Sequence, residues 1–208
     1  MSGTFPSTAG FETLDFQSNV RNRISSSVSN ITQRVKVGGQ YWSFKMKSPP
    51  MTRASFMADY SFLISQDGRY GTFTIVPPVI SNTTGTMTGV LTVADITMAN
   101  PTASTAAGST QIAVQDDSSA GTLKKGDLMK FSNHDKVYMV VNDFNLAGDS
   151  TVSFLNFYPA LTESLEGGVT TITYNEVPFT VFLDDDEISY TVDQSNLYRY
   201  EISITEEL

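Results

Sequence analysis

The sequence predicts a mainly β protein, a sandwich or barrels, with a single helix. Segments rich in Val, Ile, Thr, Phe and Tyr recur along most of the 208 residues, separated by Gly, Pro, Asn and Asp. Only residues 52–68 carry a helical period. From Thr110 onward the strands become short and the turns tight, the pattern of a small barrel set into a longer-stranded domain.

Taken in order, residues 1–33 are polar and rich in Ser and Asn, with Phe11, Leu14 and Phe16 as apolar anchors. Weak alternation at Ile24, Val28 and Ile31 predicts an N-terminal arm with one irregular strand that needs a neighbour to become ordered. Residues 35–47 read as a hairpin or a bulged strand around Gly38-Gly39. Trp42, Phe44 and Met46 alternate with Ser43, Lys45 and Lys47, as a half-buried strand requires. Pro49-Pro50 stops the ladder, because proline has no N–H to donate. Thr52 is then an N-cap, Phe56, Tyr60, Leu63 and Ile64 form one apolar helix face, and Gly68 closes the helix. Period two returns with Thr72 and Thr74 against Phe73 and Ile75, and ends at Pro77-Pro78.

Residues 81–89 are soft, residues 90–93 make a short strand, and residues 94–109 resemble a linker, where a domain boundary is placed. Strands follow at 111–115, 128–132, 137–142 and 151–157, with turns at Asp116-Asp117, NHDK and NLAGD. Longer strands close the chain at 170–174, 179–183 and 197–205, where Tyr198, Tyr200, Ile202 and Ile204 share one face. The expected organisation is an arm (1–33), a discontinuous β domain (34–93 plus 171–208) and an inserted barrel (94–170).

There is no cysteine, which excludes disulfides, thiolate metal sites and cysteine nucleophiles. The first residues lack the basic and apolar regions of a secretion signal, and no apolar run approaches the ~18 residues that span a bilayer. The expectation is a protein made in the cytoplasm, with no membrane insertion. A net charge of −9 argues against binding nucleic acid through a clustered basic surface. That charge is uneven. Up to Tyr70 eight Lys/Arg face four acids, about +4 by formal charges, and the remainder carries about −13. A basic front and an acidic back would attract one another between neighbouring copies.

Candidate chemistry is sparse. His134, the only histidine, sits in a turn sequence without a nucleophile motif around it. Asp184-Asp185-Asp186-Glu187 offers hard oxygen ligands, but it lacks the glycine and distal Glu of a calcium loop and reads as a solvated hairpin turn. No carboxylate pair stands out for glycoside hydrolysis, and Gly38-Gly39 lacks the strand-to-helix context of a phosphate loop. The aromatics Tyr41, Trp42, Tyr138 and Tyr158 could stack on sugars, although core or interface is their commoner role.

Several stretches carry a family likeness. Gly38-Gly39-Gln40-Tyr41-Trp42, Pro49-Pro50-Met51-Thr52-Arg53, Gly68-Arg69-Tyr70 and Phe73-Thr74-Ile75 are four of them. Gly126-Asp127-Leu128 with Lys136-Val137-Tyr138, and Leu197-Tyr198-Arg199-Tyr200-Glu201, are the others. Together they resemble the minor tail proteins of tailed bacteriophages, and among these the distal tail proteins of the tail-tip or baseplate hub ring.

The resemblance implies a tail-tube-like β-sandwich with one flanking helix, interrupted by an inserted small β-barrel. It implies a homo-oligomer, a hexameric ring in the virion, contacting the tail tube protein and the hub or fibre proteins. DNA would pass through without specific binding, and an acidic lumen built from the C-terminal strands would repel it. No catalytic residue, cofactor or metal is carried over. The other readings are a carbohydrate-binding host-recognition module touching glycans through Tyr138 and Tyr158, a tube initiator or hub protein of a contractile tail, and, least supported, a cell-wall hydrolase.

Overall fold

A computed structural model describes residues 3–6, 10–95, 105–115, 119–147 and 152–208. In chain order its elements are β1 (Thr13–Ser26), β2 (Thr32–Lys47), α1 (Arg53–Ile64), β3 (Thr72–Ile75), β4 (Leu91–Val93), β5 (Gln111–Gln115), β6 (Gly121–Leu123), β7 (Leu128–Phe131), β8 (Val137–Val140), β9 (Phe144–Leu146), β10 (Ser153–Tyr158), β11 (Thr171–Thr173), β12 (Phe179–Leu183), β13 (Tyr190–Val192) and β14 (Tyr198–Glu206). They form two compact units, Met1–Thr74 with Val181–Leu208, and Ile75–Thr180. Among the described residues the protein is thus mainly β with one α-helix, as its strand-rich sequence predicts.

The first unit is a six-stranded sheet in the order β1-β2-β14-β12-β3, with β13 added on β14. β14 pairs with β13 from Tyr198 to Tyr200, and with β2 and β12 through its remaining residues. Trp42, Phe44 and Met46 are buried as their alternation predicts, and Phe16 stacks on Trp42 at 4.5 Å between ring centroids. The helix lies on this sheet through an aromatic cluster, in which Phe56 stacks on Tyr198 (4.9 Å) and Tyr60 (5.1 Å).

Two expectations for this unit need correction. Residues 13–26 are not an irregular arm but the first strand of a long antiparallel hairpin with β2. Pairing runs from Thr13↔Lys47 to Val20↔Gln40, then resumes at Asn22↔Lys36 and ends at Ser26↔Thr32. The interruption sets Arg21 against residues 37–39, so the bulged-strand reading of Gly38-Gly39 describes the chain. The exposed, polar composition of residues 22–26 hid the strand, because neither face is buried and alternation has nothing to report. Second, the buried helix face is Phe56, Asp59 and Leu63, while Ile64 is exposed. Thr52 does occupy the N-cap but makes no side-chain capping bond, and the helix ends at Ser65, before Gly68.

In the second unit β10-β5-β4-β11-β7-β8 close into a barrel, and β6 pairs with β9. Closure leaves no free edge in the ring of strands, which removes the hazard of edge-to-edge pairing. Its core gathers Leu91, Val93, Ile112, Val114, Met129, Phe131, Tyr138, Val140, Leu155, Phe157 and Ile172. Phe131, Tyr138 and Phe157 meet edge-to-face at 5.2–5.8 Å between centroids. Each such contact adds about 0.5–1.5 kcal/mol beyond burial.

The insertion is wider than residues 94–170. β4 and β11, which the sequence reading gives to the discontinuous domain, are barrel strands, hydrogen-bonded to each other and to β5 and β7. The linker-like composition of residues 94–109 marks a connection between two barrel strands, not the boundary itself. Within that stretch residues 96–104 lie outside the described residues, as do Asp116-Asp117 and the Gly148-Asp149 end of the NLAGD turn, whose Asn145 and Leu146 belong to β9.

Candidate assembly surface

The feature of the first unit that its own core does not explain is the outer part of the β1–β2 hairpin. From Asn22↔Lys36 outward the two strands pair only with each other, since the bonds from β2 to β14 begin at Ser43. The turn closes with Ser27 N–H on Ile31 O (3.0 Å) and Asn30 N–H on Ser27 O (3.0 Å), Asn30 taking the left-handed conformation at φ 60°. Register places Val35, Gln33, Arg23 and Ser25 on one face and Ile24, Arg34, Asn22 and Lys36 on the other. Ile24, Ile31, Val35 and Val37 are each more than 60 % exposed.

Between Asp15 and Asp59 the sequence has seven Lys/Arg and no acid. Lys45 and Lys47 sit 3.8 Å from Glu201 and Glu12, exposed pairs of small energetic consequence. Arg21 lies 5.9 Å from the ring centre of Tyr41. Arg23, Arg34 and Lys36 draw no ion pair among the described residues.

The acidic counterpart is residues 184–187. Asp186 accepts the N–H of Arg69 at 3.0 Å, while Asp185 and Glu187 are exposed and make no hydrogen bond or ion pair among the described residues. Among the described residues no group of three carboxylates or imidazoles converges as a metal site would require. Next in sequence comes β13, an edge strand paired with β14 alone, with Tyr190 and Val192 exposed.

Two polar centres hold the barrel. Asp127, buried at the β7 corner, accepts from Thr84 N–H (2.9 Å), Thr84 Oγ1 (2.8 Å), Lys124 N–H (2.8 Å) and the Thr83 hydroxyl. Burial pushes this carboxyl upward, but the four donors outweigh it and hold it below the ordinary carboxylate range. The second centre is His134. Its Nε2 meets the Tyr138 hydroxyl at 2.7 Å and its Nδ1 meets Asn133 Oδ1 at 2.8 Å, while Tyr138 also meets Thr162 Oγ1 at 3.1 Å. Burial lowers the basicity of His134, against the raising effect of Glu163 and Asp135, with Lys130 and Lys136 lowering it further. Both ring nitrogens are thus engaged, neither by a serine hydroxyl nor by a carboxylate.

Of the two glycan candidates, Tyr138 is fully buried inside the barrel and offers no ring face to a sugar, whereas Tyr158 is 37 % exposed. They sit on opposite faces of adjacent strands, so the structure does not bring them together. Tyr41 is half-buried and Trp42 buried, both in the first unit. Sequence reasoning missed Asp59, which accepts the Tyr200 hydroxyl at 3.0 Å in the buried layer between helix and sheet. It also missed Asp127. The only signal for either was an acid inside an apolar pattern.

Against known proteins, residues 93–177 match the family described as distal tail protein pb9, B domain. The match covers less than half of the 208 residues, and it makes this stretch similar to a domain of the phage distal tail proteins. The matched stretch runs from the end of β4 to just before β12 and thus takes in most of the barrel. A distal tail protein domain supports a structural role in a phage tail and implies a component of the virion. The family is a structural one. No curated protein matches the sequence. Among the described residues no helix is long and apolar enough to cross a membrane.

Proposed function

We propose that this protein is a distal tail protein, the subunit of a homo-oligomeric ring of about six copies at the far end of a phage tail, since most homo-oligomers close by point-group symmetry. The ring joins the tail tube to the tip or baseplate, with tail tube protein on one side and hub or fibre proteins on the other, and its channel lets DNA pass without specific binding. The observation that carries the reading is the B-domain match on a barrel inserted into a second β unit. An overall charge of −9 suits a conduit that must not retain DNA. The C-terminal strand contributes less acid to a lumen than its sequence suggests, because Glu206 is buried and receives the Trp42 N–H at 3.1 Å.

The test is absolute mass by light scattering with negative-stain images of the same sample. Closed rings of about six copies support the proposal; discrete dimers or open filaments count against it. The glycan reading keeps only Tyr158, and retention on host cell-wall glycans that disappears in Tyr158→Ala would revive it.

A further inference from the structure

The ring proposal does not say which surfaces meet, and the hairpin points to one. A β-hairpin whose two faces both lie in water is marginal by itself. This one extends beyond its last contact with β14 while carrying exposed Ile24, Ile31, Val35 and Val37 beside unpaired Arg23, Arg34 and Lys36. A surface that is both apolar and cationic calls for a partner with apolar and acidic groups side by side. The same chain has one, where Asp185 and Glu187 stand exposed and unpaired next to the edge strand β13 with its exposed Tyr190 and Val192.

We infer that the outer hairpin, residues 22–36, docks on the 184–192 segment of a second copy of this chain. The contact uses two different patches, so it is head-to-tail, the kind that generates a ring when its rotation closes. It rests on the ring proposal for its biological setting, but not for its chemistry. The complementary charges set orientation and association rate, and the apolar residues between them supply most of the desolvation.

The absence of cysteine makes the test clean. Ser26→Cys, on the hairpin face of Ile24, Arg34 and Lys36, in one batch and Ser189→Cys in another, both at exposed positions, are mixed and oxidised with copper phenanthroline. The docking gives heterodimers linked between positions 26 and 189 in excess over either homodimer. Arg34→Glu with Lys36→Glu, added to the Ser26→Cys chain, weakens association by about tenfold or more, and adding Asp185→Lys with Glu187→Lys to the other chain restores it. Far-UV circular dichroism and Trp42 emission confirm that each variant is folded.

Cross-linking that is insensitive to charge reversal, or no heterodimer excess from a folded mixture, overturns the docking. Duplex DNA retained by the wild type and released by Arg34→Glu with Lys36→Glu, without heterodimers, also overturns it and assigns the hairpin to nucleic acid. Mass measurements on the untethered protein separate the two proposals. Closed rings unaffected by the reversal leave the ring reading intact and remove this contact, whereas charge-dependent pairs that never close leave the contact and remove the ring.

Discussion

Replacing Asp127 with Ala should unfasten the loop that leads into the barrel. The carboxylate receives two backbone N–H groups, from Thr84 and Lys124, and two hydroxyls, from Thr83 and Thr84, at a position only 3 % exposed. The hydroxyls can rotate to other acceptors, but the two amides are fixed in place. A buried donor left unsatisfied costs about 1–3 kcal/mol, and because Thr84 is exposed and Lys124 half-buried, water replaces part of the lost acceptor and the two amides together set a loss of about 1–3 kcal/mol. Trp42 lies in the first unit and does not report on the barrel, so the loss is read by urea unfolding followed through far-UV circular dichroism, with amide exchange at Thr84 and Lys124. The pH dependence has a definite sign. The folded carboxyl titrates below its unfolded value of about 3.9, so its contribution is complete above that pH and is lost as pH falls through the lower folded value. A change under about 0.5 kcal/mol, the range of an ordinary surface substitution, or unaltered exchange at both amides, would refute the reasoning.

Three further outcomes are expected. Tyr200→Phe removes the donor facing Asp59 and should destabilise the first unit by about 1–3 kcal/mol, seen in urea by Trp42 emission. Spectrophotometric titration should show Tyr174 and Tyr200 ionising after other tyrosines, Tyr200 because burial and then the Asp59 charge and hydrogen bond push it up, Tyr174 because of burial; a lag that survives in Tyr200→Phe with Tyr174→Phe would contradict this. His134 is less basic folded than unfolded, so the unfolded chain binds the proton more readily and barrel stability should fall as pH drops through about 6.5; His134→Gln should flatten that slope in melts run from about pH 8 to 5.

Much of the first unit was legible because burial leaves a periodic trace. Trp42, Phe44 and Met46, and later Tyr200, Ile202 and Ile204, alternate since one face of each strand meets the core. The outer hairpin leaves no such trace, being exposed on both faces, and its sequence reads as an arm although its charge pattern is plain. The insertion was legible in kind, but its limits were not: three-residue strands such as β4 and β11 are too short to show which sheet they join. Asp59 and Asp127 were illegible for another reason. Their acceptor roles depend on Tyr200, Thr83 and Thr84, distant in sequence or in a loop, and only the folded chain brings them within reach.

The sheet order has a consequence for synthesis. β2 pairs with β14 through contacts such as Met46↔Ile202, so the first unit cannot complete its sheet until the last strand has left the ribosome. The second unit is one continuous segment, Ile75–Thr180, and emerges whole while β14 is still being made. The barrel should therefore fold first, with β1, β2 and the helix held waiting and their apolar residues uncovered. In that interval the early hairpin is the part of the nascent chain most open to premature pairing, and the cations along residues 21–36 act as gatekeepers against it.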